Sequence, residues 1–259
     1  MTIRESNSFT YAGRSSDEFG IINVNISTGM QSEPFASNRS IREQKVNGND
    51  RPYFMGIEKQ PLELTLSFAF ENETTQDQLR EVARWLLGPK YYVPLVFEDI
   101  DPDRIFYGLF IDSPEYIHNC AGNGYLQLNF RCADAYSYTG VYTQIYDLST
   151  NPVDGTVITF DNFGDDECKP IIKIYKVGDG DVSIFNQSNG NAEMTIKNLV
   201  DDETCTVDCE NRIIISDIPL TLHYNDLQGD YLTLPIYNNY LLVKGTCQLE
   251  FTYQLKRLQ

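Results

Sequence analysis

The sequence predicts a mainly β protein of two domains. Residues 1–139 are expected to form a β-sandwich or barrel-like domain with one α-helix and an extended arm. Residues 140–259 are expected to form a second β-sandwich. Three observations lead there. Apolar and polar residues alternate along several segments, the period of half-buried antiparallel strands. Aromatic residues, which favour strands, are abundant, with 17 Tyr and 14 Phe. Only one segment carries a convincing helical period. The 259 residues, 41% of them hydrophobic, supply material for two cores of ordinary size.

Taken in order, Ile21–Asn25 is the first clear strand candidate. Leu62–Phe70 alternates strictly, with Leu62, Leu64, Leu66, Phe68 and Phe70 on one face and Glu63, Thr65, Ser67 and Ala69 on the other. A helix follows. Thr74 or Thr75 can cap it, and Asp77 and Glu81 lie near its start, where the helix dipole favours acids. Leu79, Val82, Ala83 and Leu86 make an apolar stripe, and Gly88-Pro89 ends it. The single tryptophan, Trp85, lies beside this stripe and reads as packing. Tyr91–Phe97 is an apolar strand, Glu98–Asp103 an acidic turn, and Arg104–Ile111 another strand. Asn123-Gly124 marks a hairpin before Tyr125–Cys132, where Leu126, Leu128, Phe130 and Cys132 share a face. A polar, turn-rich stretch, Ser149–Gly155, opens the second half. About ten short strand candidates follow, punctuated by Gly178–Asp181 and Asn189-Gly190. The last places Cys247, Leu249, Phe251, Tyr253 and Leu255 on one face.

Asn38–Met55 breaks this rhythm. It is long, polar and locally basic, and it lies between strand candidates. Loops of this length without structure are uncommon in compact domains unless functional. Two readings stand: a flexible surface loop, or an arm or β-hairpin reaching a neighbouring subunit. In the second, Asn38, Arg39, Arg42, Lys45, Arg51 and Tyr53 are the contact candidates.

The formal net charge is −17. Such a surface repels nucleic acid and anionic membranes, so specific nucleic-acid binding is not expected. No apolar run approaches the ~20 residues of a membrane span. The opening MTIRESNSFTYAG lacks the apolar core of a signal peptide, which implies folding in a cytosol. The six cysteines include no C-x-x-C pair. Cys205 and Cys209, on one strand, would stand roughly 13 Å apart at ~3.3 Å per residue, too far for a disulfide. All six are read as reduced, small hydrophobes.

Catalytic signals are sparse. His118 and Cys120 lie two residues apart, but nothing supplies an oxyanion hole or an orienting group, so His118 reads as a turn residue. His223 lies in strand-like LTLHY. Asp99, Asp101 and Asp103 give a D-x-D-x-D run, yet Arg104 and Phe110 stand where a calcium loop needs Gly and Glu. These acids, like Asp165–Glu167 and Asp201–Glu203, read as solvated turns. No phosphate-binding loop or dinucleotide fingerprint occurs. No enzyme activity, cofactor or metal is expected.

The ordered series DEFGIINVNIS, EQKVNGNDRPYFMG, LELTLSFAF, REVARWLLG, PLVFEDIDPDRIFYGLFIDSPEY and GYLQLNFRCADAYSY resembles the N-terminal domain of distal tail proteins of long-tailed bacteriophages, especially those of Gram-positive hosts. The likeness covers about Phe9–Tyr138; Ala135 stands where many relatives have proline. The second half, with TVITFDNFGDDECKPIIKIY and QLEFTYQL, is similar to their galectin-like or carbohydrate-module-like C-terminal sandwich, Asp208–Asn211 being a hairpin turn. The resemblance implies a homo-hexameric ring at the distal end of the tail, assembled in the host cytoplasm and carried in the virion. The ring would join the tail tube protein to a tail-associated or tip protein and let DNA pass. A receptor-binding protein is a further partner it implies. The alternative is a carbohydrate-binding module for the host wall, with Tyr224, Tyr231, Tyr237 and Tyr240 stacking on sugars.

Overall fold

A computed structural model describes residues 6–24, 34–118 and 124–258. Cys120, Asn123 and Asn25, singled out from the sequence, lie outside these residues. The chain divides into two compact units, Met1–Tyr138 with Leu258–Gln259, and Thr139–Arg257. The first carries β1 (Thr10–Tyr11), β2 (Arg14–Ser15), β3 (Ile21–Asn23), β4 (Arg39–Gln44), β5 (Tyr53–Lys59), β6 (Glu63–Phe70), α1 (Gln76–Leu87), β7 (Val93–Val96), β8 (Ile105–His118), β9 (Gly124–Cys132) and β10 (Ser137–Tyr138). The second carries β11 (Tyr142–Leu148), β12 (Thr156–Asn162), β13 (Ile171–Lys176), β14 (Gly180–Asn186), β15 (Ala192–Leu199), β16 (Thr204–Asp208), β17 (Ile213–Ser216), β18 (Leu227–Gly229), β19 (Tyr237–Lys244), β20 (Cys247–Tyr253) and β21 (Lys256–Arg257).

In the first unit one sheet runs in the order β2-β1-β7-β8-β9-β6-β3, and β10 pairs with β8. The alternation read in Leu62–Phe70 is realised: Leu64, Leu66, Phe68 and Phe70 are buried. Their partners across β9 include Leu128 and Phe130, also buried. Gly108 on β8 is required by this packing, because a Cβ there would meet the Arg131 carbonyl oxygen at 2.4 Å and the Phe130 ring at 2.6 Å. Helix α1 closes the core. Thr75 caps it, its hydroxyl accepting from the Gln78 N–H at 3.3 Å while Gln78 Oε1 accepts from the Thr75 N–H at 2.9 Å.

The buried face of α1 is rotated from the expected stripe. Val82, Trp85 and Leu86 are buried, whereas Ala83 is exposed and Leu79 only half-buried. Aromatic partners from distant segments account for this. Phe9 and Phe19 stack on Trp85 at 5.6 and 4.4 Å, and the Trp85 indole N–H donates to the Tyr11 carbonyl at 2.8 Å. Asp99, read as a solvated turn acid, instead receives hydrogen bonds from the Ser6 hydroxyl and the Asn7 N–H.

The second unit is a sandwich of two five-stranded antiparallel sheets, β11-β20-β13-β16-β17 and β12-β19-β14-β15-β18. Ile172, Ile174, Cys205, Val207, Leu249 and Phe251 from the first pack with Ile158, Phe160, Val182, Ile184, Leu241 and Val243 from the second. This is the inward half of each alternating strand. The Asp208 carboxylate caps the β16–β17 turn, accepting from the Glu210 and Asn211 N–H groups at 3.1 and 2.9 Å. Cys132, Cys168, Cys205, Cys209 and Cys247 are all unpaired thiols and buried. Burial pushes the Cys132 thiol up to about 12. Among the described residues no helix is long and apolar enough to cross a membrane.

Candidate functional site, an exposed basic hairpin

Asn38–Met55 is mostly ordered as a β-hairpin. Strands β4 and β5 pair with each other and, among the described residues, with no other strand. Their register sets Arg39 opposite Lys59, Ser40 opposite Glu58 and Ile41 opposite Ile57. It then shifts, and Glu43 lies opposite Phe54 and Gln44 opposite Tyr53. Gly56 sits at the shift with φ +134°, a value that glycine alone adopts without strain. Opposed residues share a face, and faces alternate along a strand. One face therefore carries Arg39, Ile41, Glu43, Phe54, Ile57 and Lys59. The other carries Ser40, Arg42, Gln44, Tyr53 and Glu58.

The base of the hairpin is tied down. The Gln60 N–H donates to the Asn38 carbonyl at 2.8 Å. The Lys59 ammonium bonds the Tyr136 hydroxyl and lies 4.7 Å over that ring. At the tip, Asn49 Oδ1 accepts from the Arg51 N–H at 3.2 Å. The sequence candidates Asn38, Arg39, Arg42, Lys45, Arg51 and Tyr53 thus fall on one element, and all are exposed. Composition alone did not single out Ile41, Phe54 and Ile57, which are also exposed, at 66%, 66% and 49%. Ile41 is the one apolar residue of β4, between Ser40 and Arg42, so no period in the sequence marks this face.

The four tyrosines do not make one platform. Tyr224 and Tyr231 flank β18, whereas Tyr237 and Tyr240 lie on β19, three positions away in the sheet. At ~4.8 Å per strand that is roughly 14 Å. The Tyr231 hydroxyl donates to the Arg212 carbonyl at 2.9 Å, and the Arg212 guanidinium lies 5.6 Å over its ring. The Tyr224 hydroxyl accepts from the Ile214 N–H at 3.3 Å. Tyr237 and Tyr240 are both exposed.

Both histidines depart from expectation. His118 ends β8 rather than lying in a turn, and its ring stacks on Tyr116 at 5.1 Å. His223 begins a 3-10 turn instead of continuing a strand, and it is buried. Its Nε2 is 2.7 Å from Glu203 Oε1 and its Nδ1 3.0 Å from Asp226 Oδ2. Glu203, read as solvated, is also buried and accepts from the Ser216 hydroxyl at 2.6 Å and the Val200 N–H at 2.9 Å. Both ring nitrogens are engaged by carboxylates and the serine proton points at Glu203. The cluster pins the loop after β17 to the sandwich. Among the described residues no group of three or more His, Cys, Asp or Glu is arranged to hold a metal ion.

Comparison with known proteins decides the family. Residues 4–134 match the phage tail protein N-terminal domain, and residues 136–253 match the phage tail C-terminal domain. The chain belongs to this family of phage tail proteins. As a phage tail protein it is a component of the virion tail. It is 28% identical over 256 residues to the SPbeta prophage-derived uncharacterized protein YomH of Bacillus subtilis strain 168, covering 99% of this chain and 100% of YomH. Its fold is that of the Dit protein of phage SPP1, described as a paradigm of the hub adsorption apparatus in phages infecting Gram-positive hosts. There the TM-score is 0.70 at 17% identity, over 96% of this tail protein and 98% of Dit. A chain of the phage P2 baseplate in its activated conformation with Ca matches more distantly, with a TM-score of 0.50 at 10% identity over 92% and 91%.

Proposed function

We propose that this phage tail protein is a distal tail hub: a homo-hexameric, non-enzymatic ring that joins the tail tube protein to the tip or baseplate and leaves a passage for DNA. The exposed hairpin carries this reading. A two-stranded hairpin is marginal by itself in water, so one that projects from its domain with apolar side chains uncovered calls for a neighbour. The likeness to SPP1 Dit in fold supports a hub. The charge supports a passage, because an acidic surface leaves DNA unbound and free to slide. Negative-stain microscopy of the purified protein, alone and with its tail-tube and tip partners, should display six-fold rings. Deleting residues 38–55 should abolish them. A protein that stays monomeric even with those partners is incompatible with the hub reading, and rings that survive the deletion are incompatible with the arm.

A further inference from the structure

The sandwich of the second unit has four strand edges, and three of them are closed. We propose that the fourth, the edge of β11, seats an extended, basic segment of another protein, which adds to the sheet as a further strand. This seat lies outside the hub reading and holds whether or not the ring forms.

The edges are β11 and β17 of one sheet and β12 and β18 of the other. An uncovered edge is a row of main-chain donors and acceptors that invites pairing, and proteins blunt it by shortness, covering groups, cations or proline. β18 has three residues and ends in Gly229 at φ +85°. β17 has four, and its Ile214 N–H already donates to the Tyr224 hydroxyl at 3.3 Å. β12 is longer, but its Thr159 carbonyl accepts from the Tyr146 hydroxyl at 2.6 Å. β11 has none of these devices. It runs for seven residues in unbroken register with β20 and carries no proline, lysine or arginine.

The ladder determines which groups β11 offers. The Val177 N–H donates to the Thr246 carbonyl, so the main-chain groups of even-numbered β20 residues turn toward β13 and those of odd-numbered ones toward β11. Tyr142, Gln144, Tyr146 and Leu148 oppose the odd-numbered residues and face β20. The N–H and C=O groups of Thr143, Ile145 and Asp147 therefore point away from the sheet. Among the described residues no strand pairs with them. All three residues are exposed, Ile145 to 57%.

Charge selects the occupant. Residues 139–257 carry eight cations and eighteen acids, a formal −10. Two such units set edge to edge repel, which disfavours a second copy of this chain. Asp147, the one charge on β11, is an acid as well. A basic strand is attracted instead, and its main chain meets the donors and acceptors of Thr143, Ile145 and Asp147 in register. Beside Ile145 on the outer face, Glu250 is already held by Lys173 and Tyr175, each at 3.1 Å. The side chain that lands on Ile145 therefore makes an apolar contact.

The test uses the full-length protein and blocked peptides as long as β11. One alternates Thr and Val between Lys ends. The second has Glu ends. The third is the basic peptide with every amide N-methylated, which removes its donors. Hydrogen exchange read by mass spectrometry locates protection, and calorimetry reads affinity. Ile145→Pro deletes an edge donor without touching the β20 ladder, and Ile145→Lys keeps every amide but adds a cation. Ile215→Lys, on β17, is the control, and circular dichroism confirms folding of each variant. The basic peptide should slow exchange in 142–148 and not in 156–162 or 213–216. The other two peptides should bind the wild type at least about tenfold more weakly, and so should the basic peptide bind either Ile145 variant. Ile215→Lys should stay within about twofold. Absence of protection in 142–148 at roughly 1 mM basic peptide overturns the assignment. So does equal protection at the other edges, or undiminished binding by the methylated peptide, the Glu-ended peptide or a folded Ile145→Pro. If that proline variant does not fold, Ile145→Lys decides alone. If either Ile145 variant instead dissociates the unmixed protein in sedimentation velocity, the edge seats a second copy, and the assignment to another protein fails.

Discussion

Glu203 is a carboxylate kept ionised inside a sandwich. Burial pushes its carboxyl up, but hydrogen bonds from Ser216, the Val200 N–H and His223, with the charge on His223, outweigh that and hold it below its usual value. Asp226, on the other side of the imidazole, is lowered by hydrogen bonds from Asn198 and His223. A carboxylate with a depressed folded value contributes stability above its unfolded value and loses it as pH falls through the folded one. The C-terminal unit should therefore lose stability as pH drops below about 4.3, the ordinary glutamate range. Glu203→Gln should flatten that slope and cost about 3 kcal/mol at neutral pH, since it leaves buried partners unmatched. Urea midpoints measured between acid and neutral pH check this; an unchanged slope in the variant would assign the acid sensitivity elsewhere. At this scale the sequence misled for an identifiable reason. Glu203 sits in an acidic triplet and was read with it as solvated, yet it is two residues before Cys205 and four before Val207, both buried on β16. Its phase placed it inside, and its charge hid the phase.

Helix α1 is legible nearly to the residue, because caps are local. Thr75 and Gln78 form their reciprocal bonds without help from elsewhere, and Gly88 follows directly. Thr75→Ala should cost about 1 kcal/mol, read as a lower thermal midpoint of the N-terminal unit by Trp85 fluorescence. An unchanged midpoint would mean that packing alone fixes the helix start. What was not legible is which face turns inward. Leu79 and Ala83 yield to Trp85 because Phe9 and Phe19, over sixty residues upstream, provide its stacking surfaces. The hairpin was open from the sequence for a related reason. Every residue of β4 is exposed, so no half-buried alternation announces it, and the shift at Gly56 breaks the period again.

At the scale of the whole molecule, alternation gave strands but not their order. The pairing of β1 with β7, at Thr10 with Val96 and Tyr11 with Leu95, spans more than eighty residues and leaves no mark on the local period. The two units have separate hydrophobic cores. Trp85, the only tryptophan, belongs to the first, while strands of both contribute to circular dichroism. Denaturant unfolding followed by tryptophan fluorescence and by far-ultraviolet dichroism should therefore give non-coincident transitions. Superimposable curves would mean that both cores melt as one.

Among the described residues the hairpin has two unpaired edges as well as an apolar face, and such an edge is a template for indiscriminate strand addition. Arg39, Arg42 and Lys45 along one arm and Arg51 and Lys59 on the other act as gatekeepers there. Two hairpins meeting edge to edge oppose like charges, whereas a hairpin meeting an acidic body does not. The cations of the hairpin thus guard the newly made chain against edge-to-edge fibrous aggregation.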